Sequence, residues 1–384
     1  MRKISILGGW ALAAMGFLGC DGGNSAPPSS TPTPPIGTVV TVHAGPALHA
    51  PRYYHRAVTL PDGRIAVLGG ADPNGTPVAS CEIVEADGSS VRNAGSLLFP
   101  RMDPEAILLG TGKVALLGGD LDNHGTVATQ IEVWDPRDGT STYVGDLKTL
   151  HGDWSTSVPL PDGRIFLFGG AGWGDPELID PATWTTEVIP FPGGARGGGA
   201  LAALPSGNVV IAGGTNGMIA LGDRWIYDWQ SKVFTLITGV DGPLAYPRAD
   251  PGSVVLKDGR WVILGGGGDF GQPGLTSVEI YASPDGHRLA VTQGATGFVS
   301  GSTTLLTDGR VLLVGGASVS GFSTTGVPNT RVYDPSSGTA RNGQSLAVGR
   351  SAHTATRLAD GRVLIAGGST GQGALASTEI LEVH

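Results

Sequence analysis

Five arginines hold one fixed place relative to a recurring turn. Arg52, Arg101, Arg196, Arg248 and Arg350 each lie 11 residues before the glycine of that turn, and two further repeats carry Gly152 and Phe298 there instead. A guanidinium presents a planar fork of donors suited to carboxylates and other anions. Five of them in register describe either an anion-binding rim or a set of struts bonded to loop carbonyls and acids. The runs Arg101-Met102-Asp103-Pro104 and Arg248-Ala249-Asp250-Pro251 place the carboxylates of Asp103 and Asp250 beside two of the guanidiniums. His55 and His353 each follow an arginine by three residues. A metal centre takes three or four protein ligands, so two histidines do not make one. These nine residues form the expected ligand-binding set. No catalytic residue, metal or other cofactor is expected.

The elements that position them are short strands. Of 384 residues, 64 are Gly and 27 are Pro, which excludes a helical bundle. Hydrophobic residues make up 40% and charged residues 15%, a balance that excludes a disordered chain. A hydrophobic run ending in a glycine pair recurs seven times, at Gly69-Gly70, Gly118-Gly119, Gly169-Gly170, Gly213-Gly214, Gly265-Gly266, Gly315-Gly316 and Gly367-Gly368. Before five of these pairs stands Asp-Gly-Arg, as in Asp62-Gly63-Arg64, a hairpin turn that needs positive φ. Unbroken apolar runs such as Ile65–Leu68 and Val311–Val314 read as strands buried on both faces. A third strand follows a variable loop in each unit, as in Ile131-Glu132-Val133-Trp134, and a weaker fourth leads into the next unit.

In the glycine pair after a strand, the Asp-Gly turn and the later Tyr-Asp-Pro of Tyr333-Asp334-Pro335, the chain resembles the kelch repeat family over residues 37–384. The resemblance implies an all-β, seven-bladed β-propeller of four-stranded antiparallel blades. The last unit stops after its third strand, Thr378–Val383, and an orphan strand, Thr38–Val42, precedes the first. That N-terminal strand is expected to close the ring as the outer strand of the seventh blade, removing two exposed edges. Functional residues are expected on the face of the longer loops, at the mouth of the central channel. Trp173, Phe270 and Phe322 lie in such loops and could stack on a sugar. Some propellers of this type are copper-radical oxidases that use a Cys-linked Tyr, a Tyr followed by His, and a further His. Tyr54-His55 is the one Tyr-His pair here, and Cys81 falls on a third strand away from the channel, so the set is incomplete.

The first 36 residues read as an address. Arg2 and Lys3 precede an uncharged stretch, Ile4 to Leu18, too short to span a bilayer and suited to a signal peptide over residues 1–19. Phe17-Leu18-Gly19-Cys20 resembles a bacterial lipobox, which implies lipidation of Cys20. Residues 20–36 are a tether rich in Pro, Ser and Thr. The net charge is −9, with no basic tract, which argues against nucleic acid and against charge-driven membrane binding. The expectation is a monomer held at the cell envelope, on the extracytoplasmic side, by its lipid alone. Its expected function is non-catalytic, binding a protein or a glycan through the long-loop face. The alternative is a carbohydrate-active enzyme, mutarotase-like or oxidase-like, working at the channel mouth.

Overall fold

A computed structural model describes residues 39–384, apart from 269–273, 295–296, 298 and 321–322. The expected signal peptide and the whole of the tether therefore lie outside the described residues, as do Phe270, Phe298 and Phe322. Seven four-stranded antiparallel sheets follow one another around a central channel. The first blade contains Arg56–Thr59, Ile65–Leu68, Ser80–Val84 and Val91–Ser96, ordered from the axis outward. Innermost strands of adjacent blades touch all the way round, including the first and last blades.

The continuous apolar runs have a direct structural reason. In the second strand of each blade, alternate side chains point to opposite faces, and both faces meet a neighbouring blade. Ile65 and Val67 pack with Leu364, Ala366 and Ile380 of the seventh blade. Ala66 and Leu68 pack with Val114, Leu116 and Trp134 of the second. Seven such clusters occupy the seven interfaces. Full burial stabilises each of these side chains by about 1.5–3 kcal/mol, so the core is distributed around the wheel.

The glycine pairs make that spacing possible. Gly69 has φ 62° and Gly70 φ 98°. A Cβ on Gly69 would lie 2.7 Å from the carbonyl oxygen of Arg101 in the next blade. The Gly70 amide donates to that same oxygen at 2.9 Å. The pair is therefore a contact between blades.

Ring closure follows the expected route. Val40–Ala44 pairs antiparallel with Thr378–Val383, Val40 opposite Val383 and Ala44 opposite Glu379. Val40 is fully buried against Leu381, Val363 and Leu312. On the short-turn face, Arg260, Arg310 and Arg362 of three Asp-Gly-Arg turns reach into the following blade, donating to the carbonyls of Pro335, His384 and Asp87.

Candidate active site

The five arginines are struts. Each is 0–2% exposed. Arg248 Nε donates to the Tyr246 carbonyl at 3.1 Å, and Nη1 to the carbonyls of Gly265 and Ser277 at 2.8 and 3.3 Å. Its Nη2 donates to Ser277 Oγ at 2.9 Å and Glu279 Oε1 at 2.7 Å. A guanidinium has five N–H donors, and all five are engaged within the blade. Arg52 and Arg350 repeat the pattern with Glu82 and Glu379. Arg196 does so with Asp223. Arg101 bonds Gly118 and Gln130 carbonyls and pairs with Glu132 at 3.0 Å, without hydrogen-bond alignment. No fork is left for a ligand, and none of the five lines the mouth of the channel, so their place in the expected binding set is corrected.

The two repeats without the arginine differ instructively. In the third blade His151 stands in, one residue before the expected register. Its Nδ1 donates to the Gly169 carbonyl at 2.8 Å, and its ring lies 3.7 Å from Glu177. The Gly119 amide donates to the His151 carbonyl, as Gly70 does to Arg101. An extra residue between this position and the inner strand hid the equivalence from register counting. In the sixth blade Phe298 replaces the arginine, and Arg331 stands where the other blades keep the acid.

Two residues beyond the arginine register lies a ring that the sequence did not announce. Tyr54, Asp103, Trp154, Gly198, Asp250, Ser300 and Ala352, one per blade, all have φ between 49° and 64°. Six are not glycine, and each such residue in the left-handed region carries roughly 1 kcal/mol or more of strain. Hydrogen bonds between blades hold them there. The amides of Asp103, Gly198, Asp250, Tyr54 and Ala352 each donate to the backbone carbonyl of the preceding ring residue, at 2.7–3.2 Å. At the two remaining steps a side chain replaces the carbonyl. Asp103 Oδ2 accepts the Trp154 amide at 3.0 Å, and Asp250 Oδ2 accepts the Ser300 amide at 3.1 Å and its hydroxyl at 2.9 Å.

The ring frames a cavity of about 410 Å³ at the channel mouth. Of the expected residues, Asp103, Asp250, His55 and His353 line it. Tyr54, Arg56, Glu105 and Trp154 line it as well. Arg56 bridges two carboxylates, with Nη1 2.9 Å from Asp103 Oδ1 and Nη2 3.1 Å from Glu105 Oε1, while Nε donates to the Pro104 carbonyl. Burial opposes the charge of Arg56, but Asp103 and Glu105 hold its pKa above the usual value. Burial pushes Glu105 upward, against the opposing pull of Arg56. Both oxygens of Asp103 are engaged. Asp250 is bound through one oxygen, and among the described residues nothing bonds its Oδ1. Burial and the nearby Asp103 charge raise its pKa to about 6, against the opposing Ser300 bonds.

The histidines are neutral wall residues. His55 Nε2 lies 3.0 Å from Thr354 Oγ1, and His353 Nε2 lies 2.9 Å from Ser302 Oγ. Burial and the neighbouring arginine push both rings down, His353 to about 3. Trp173 is outside the cavity lining, its indole against Gly217 of the neighbouring loop. Register counting from the arginines would have reached Tyr54 and Ser300 as ring members, while Arg56 and Glu105 carry no signal beyond their strand positions.

No family model matches the chain. Beta-scruin of Limulus polyphemus is 29% identical over 147 residues, which is 35% of this chain and 14% of that protein, so the chain spans about a seventh of its relative's length. Among solved structures, a fungal alcohol oxidase of the AA5 family in complex with copper superposes with a TM-score of 0.69 at 17% identity. The match covers 89% of this chain and 76% of that one. At that identity the likeness shows the fold. The expectation of a non-catalytic binding propeller rested on analogy with scaffolds of this shape. That the same architecture carries an oxidase overturns the analogy, so the expectation is corrected and the carbohydrate-active alternative stands as a proposal.

The residues at the mouth do not fit copper as such an oxidase would hold it. The two histidines lining the cavity are buried, with Nε2 against wall hydroxyls. Cys81 is fully buried in the core between the first two blades, its thiol pushed up to about 12 by burial. Among the described residues no three His, Cys, Asp or Glu are grouped to hold a metal ion. Seven units of glycine pair, hairpin and four-stranded sheet, the likeness to Beta-scruin and the shared architecture agree on one assignment: the chain is a kelch-repeat β-propeller.

Proposed function

We propose that the protein is a carbohydrate-active enzyme whose reaction is proton transfer on a sugar at the channel mouth, of the kind that interconverts anomers. The observation that carries this reading is Asp250, a carboxyl lining the cavity, fixed through Oδ2 by Ser300 and with Oδ1 unbound among the described residues. A base working near neutral pH needs a pKa near 6–7, and Asp250 stands at about 6. As carboxylate it takes the proton of the anomeric hydroxyl. The C1–O5 bond then breaks as C1=O forms, and the ring oxygen receives the same proton back. Reversal on the other face gives the second anomer, and no co-reactant is consumed. Arg56, held by Asp103 and Glu105, supplies a fixed positive charge for the oxygen that becomes anionic. Tyr54 and Trp154 line the same cavity and supply aromatic surface for the sugar.

The test is anomer exchange measured by NMR across a panel of free hexoses and their derivatives. Wild type should accelerate exchange of at least one sugar, rising with pH through about 6. Asp250→Asn should lower that rate by roughly 10²-fold or more. An unaffected rate in this variant refutes the assignment.

Export and anchoring belong to the same proposal. Residues 1–19 direct the chain out of the cytoplasm, and a lipid on Cys20 holds a monomer at the cell envelope. Detergent-phase partition that persists in Cys20→Ser would contradict the anchor.

A further inference from the structure

We infer that the sugar accepted at this mouth carries a protonated amine, so that the substrate is an amino sugar. This deepens the reading of the site as carbohydrate-active and rests on it. Three carboxylates, Asp103, Glu105 and Asp250, line the cavity together with one guanidinium, Arg56. Arg56 is shared between Asp103 and Glu105, at 2.9 and 3.1 Å. That leaves Asp250 without a cation of its own. The histidines are neutral, and the five strut arginines spend their donors inside the blades.

The wall behind holds two further carboxyls. Asp120 is 7% exposed, and its Oδ1 has no hydrogen-bond partner among the described residues. It faces the backbone just before Asp153: a Cβ on Gly152 would lie 2.6 Å from this oxygen. Asp120 and Asp153 sit close enough to Asp103 that each raises the proton affinity of its neighbours, Asp120 to about 7 and Asp153 to about 8, with burial as the first cause. At pH 6.5 Asp120 and Asp153 keep most of their protons, so the uncompensated negative potential at the mouth is that of Asp250, and the wall behind offers carboxyls that an approaching cation would ionise.

An acidic sugar would meet that potential as repulsion. A neutral one would leave the open oxygen of Asp250 with only a hydroxyl to bind. An ammonium group gives it a charge-assisted hydrogen bond and suits a cavity that Tyr54 and Trp154 also line. The cation is organic, since no three-ligand metal group exists among the described residues. A volume of about 410 Å³ lies at the small end of ligand cavities, on the scale of one or two sugar rings.

The experiment is titration calorimetry on the whole protein at pH 6.5. Glucosamine, galactosamine and mannosamine are compared with their neutral parents and their N-acetyl forms, each in two buffers of different ionisation enthalpy. At least one amine should bind roughly tenfold or more tightly than its parent. It should release protons on binding, because a cation lowers the proton affinity of the surrounding carboxyls. The preference should weaken with salt and disappear in Asp250→Asn, whose folding is checked separately by its melting temperature against wild type. Equal affinity for amine and parent overturns the inference and leaves the carbohydrate reading standing. Absence of binding by every sugar overturns both. An amine preference that survives Asp250→Asn places the charge elsewhere and overturns the assignment. Tighter binding of calcium than of any amine overturns the organic cation.

Discussion

Replacing Arg248 with Met tests whether the buried arginines hold the wheel or serve a ligand. The substitution keeps the bulk of the side chain and removes five hydrogen bonds, to Tyr246, Gly265, Ser277 twice and Glu279. Glu279 is fully buried and keeps the amides of Ala245 and Tyr246 and the Tyr281 hydroxyl, but loses its close countercharge and retains only the more distant Arg288, at 3.9 Å. Breaking a buried pair from one side costs about 3–5 kcal/mol. A propeller of about 350 residues has an unfolding entropy of about 0.7 kcal/mol/K, so Tm should fall by roughly 4–7 °C. Adding Glu279→Gln should recover part of the loss, because the orphaned charge is then gone. Calorimetry on the two single variants and the double closes the cycle. A Tm within 1 °C of wild type, together with loss of sugar turnover, would refute the strut assignment and return Arg248 to the site.

Four further outcomes follow from the same geometry. Gly118→Ala should destabilise by more than about 2 kcal/mol, since φ is +60° and the new methyl meets the His151 carbonyl of the next blade; denaturant melting checks it, and a neutral result would contradict the contact. Deleting residues 37–44 strips the outer strand from the seventh blade and should lower Tm further than Arg248→Met, whereas an unchanged Tm would show that the ring closes without it. Asp153 holds its proton to about pH 8 in the folded state and releases it near 4 when unfolded. Wild type therefore loses stability as pH rises through that window, and Asp153→Asn should be the more stable protein at pH 8 and equal to wild type near pH 4. Melting curves whose difference does not change with pH would refute this. Asp103→Ala should lower kcat as well as raise KM, because it releases Arg56, whose charge meets the oxygen that becomes anionic, and also the Trp154 amide; an unchanged kcat would refute that role of Arg56.

What the sequence disclosed was periodic. Gly69-Gly70 and its equivalents recur because a Cβ on the first glycine would meet a carbonyl of the adjoining blade, as it does at Gly69, Gly118, Gly169, Gly213, Gly315 and Gly367. Ile65–Leu68 is apolar at every position because both faces are covered. The orphan strand before the first repeat matched the missing strand after the last. The mouth was harder to read, since its backbone ring is built mostly from ordinary residues in a strained conformation, and Tyr, Asp, Trp and Ser at those positions leave no compositional mark. The arginines pointed to the right neighbourhood, but a register cannot tell which way a side chain turns, and these turn inward to Glu82, Glu132, Asp223, Glu279 and Glu379. His151 escaped notice because one added residue displaced it from the count.

The circle of amides at the mouth has an evolutionary corollary. Its diameter is set by main-chain bonds from one sheet to the next, so the opening is a rigid bezel with seven mounts. Each mount accepts a new stone with little effect on the setting, except where a side chain is also a prong. Relatives that share this bezel would be expected to diverge in ligand chiefly through the mounts whose side chains hold no neighbour in the ring, at Tyr54, Trp154, Gly198 and Ala352.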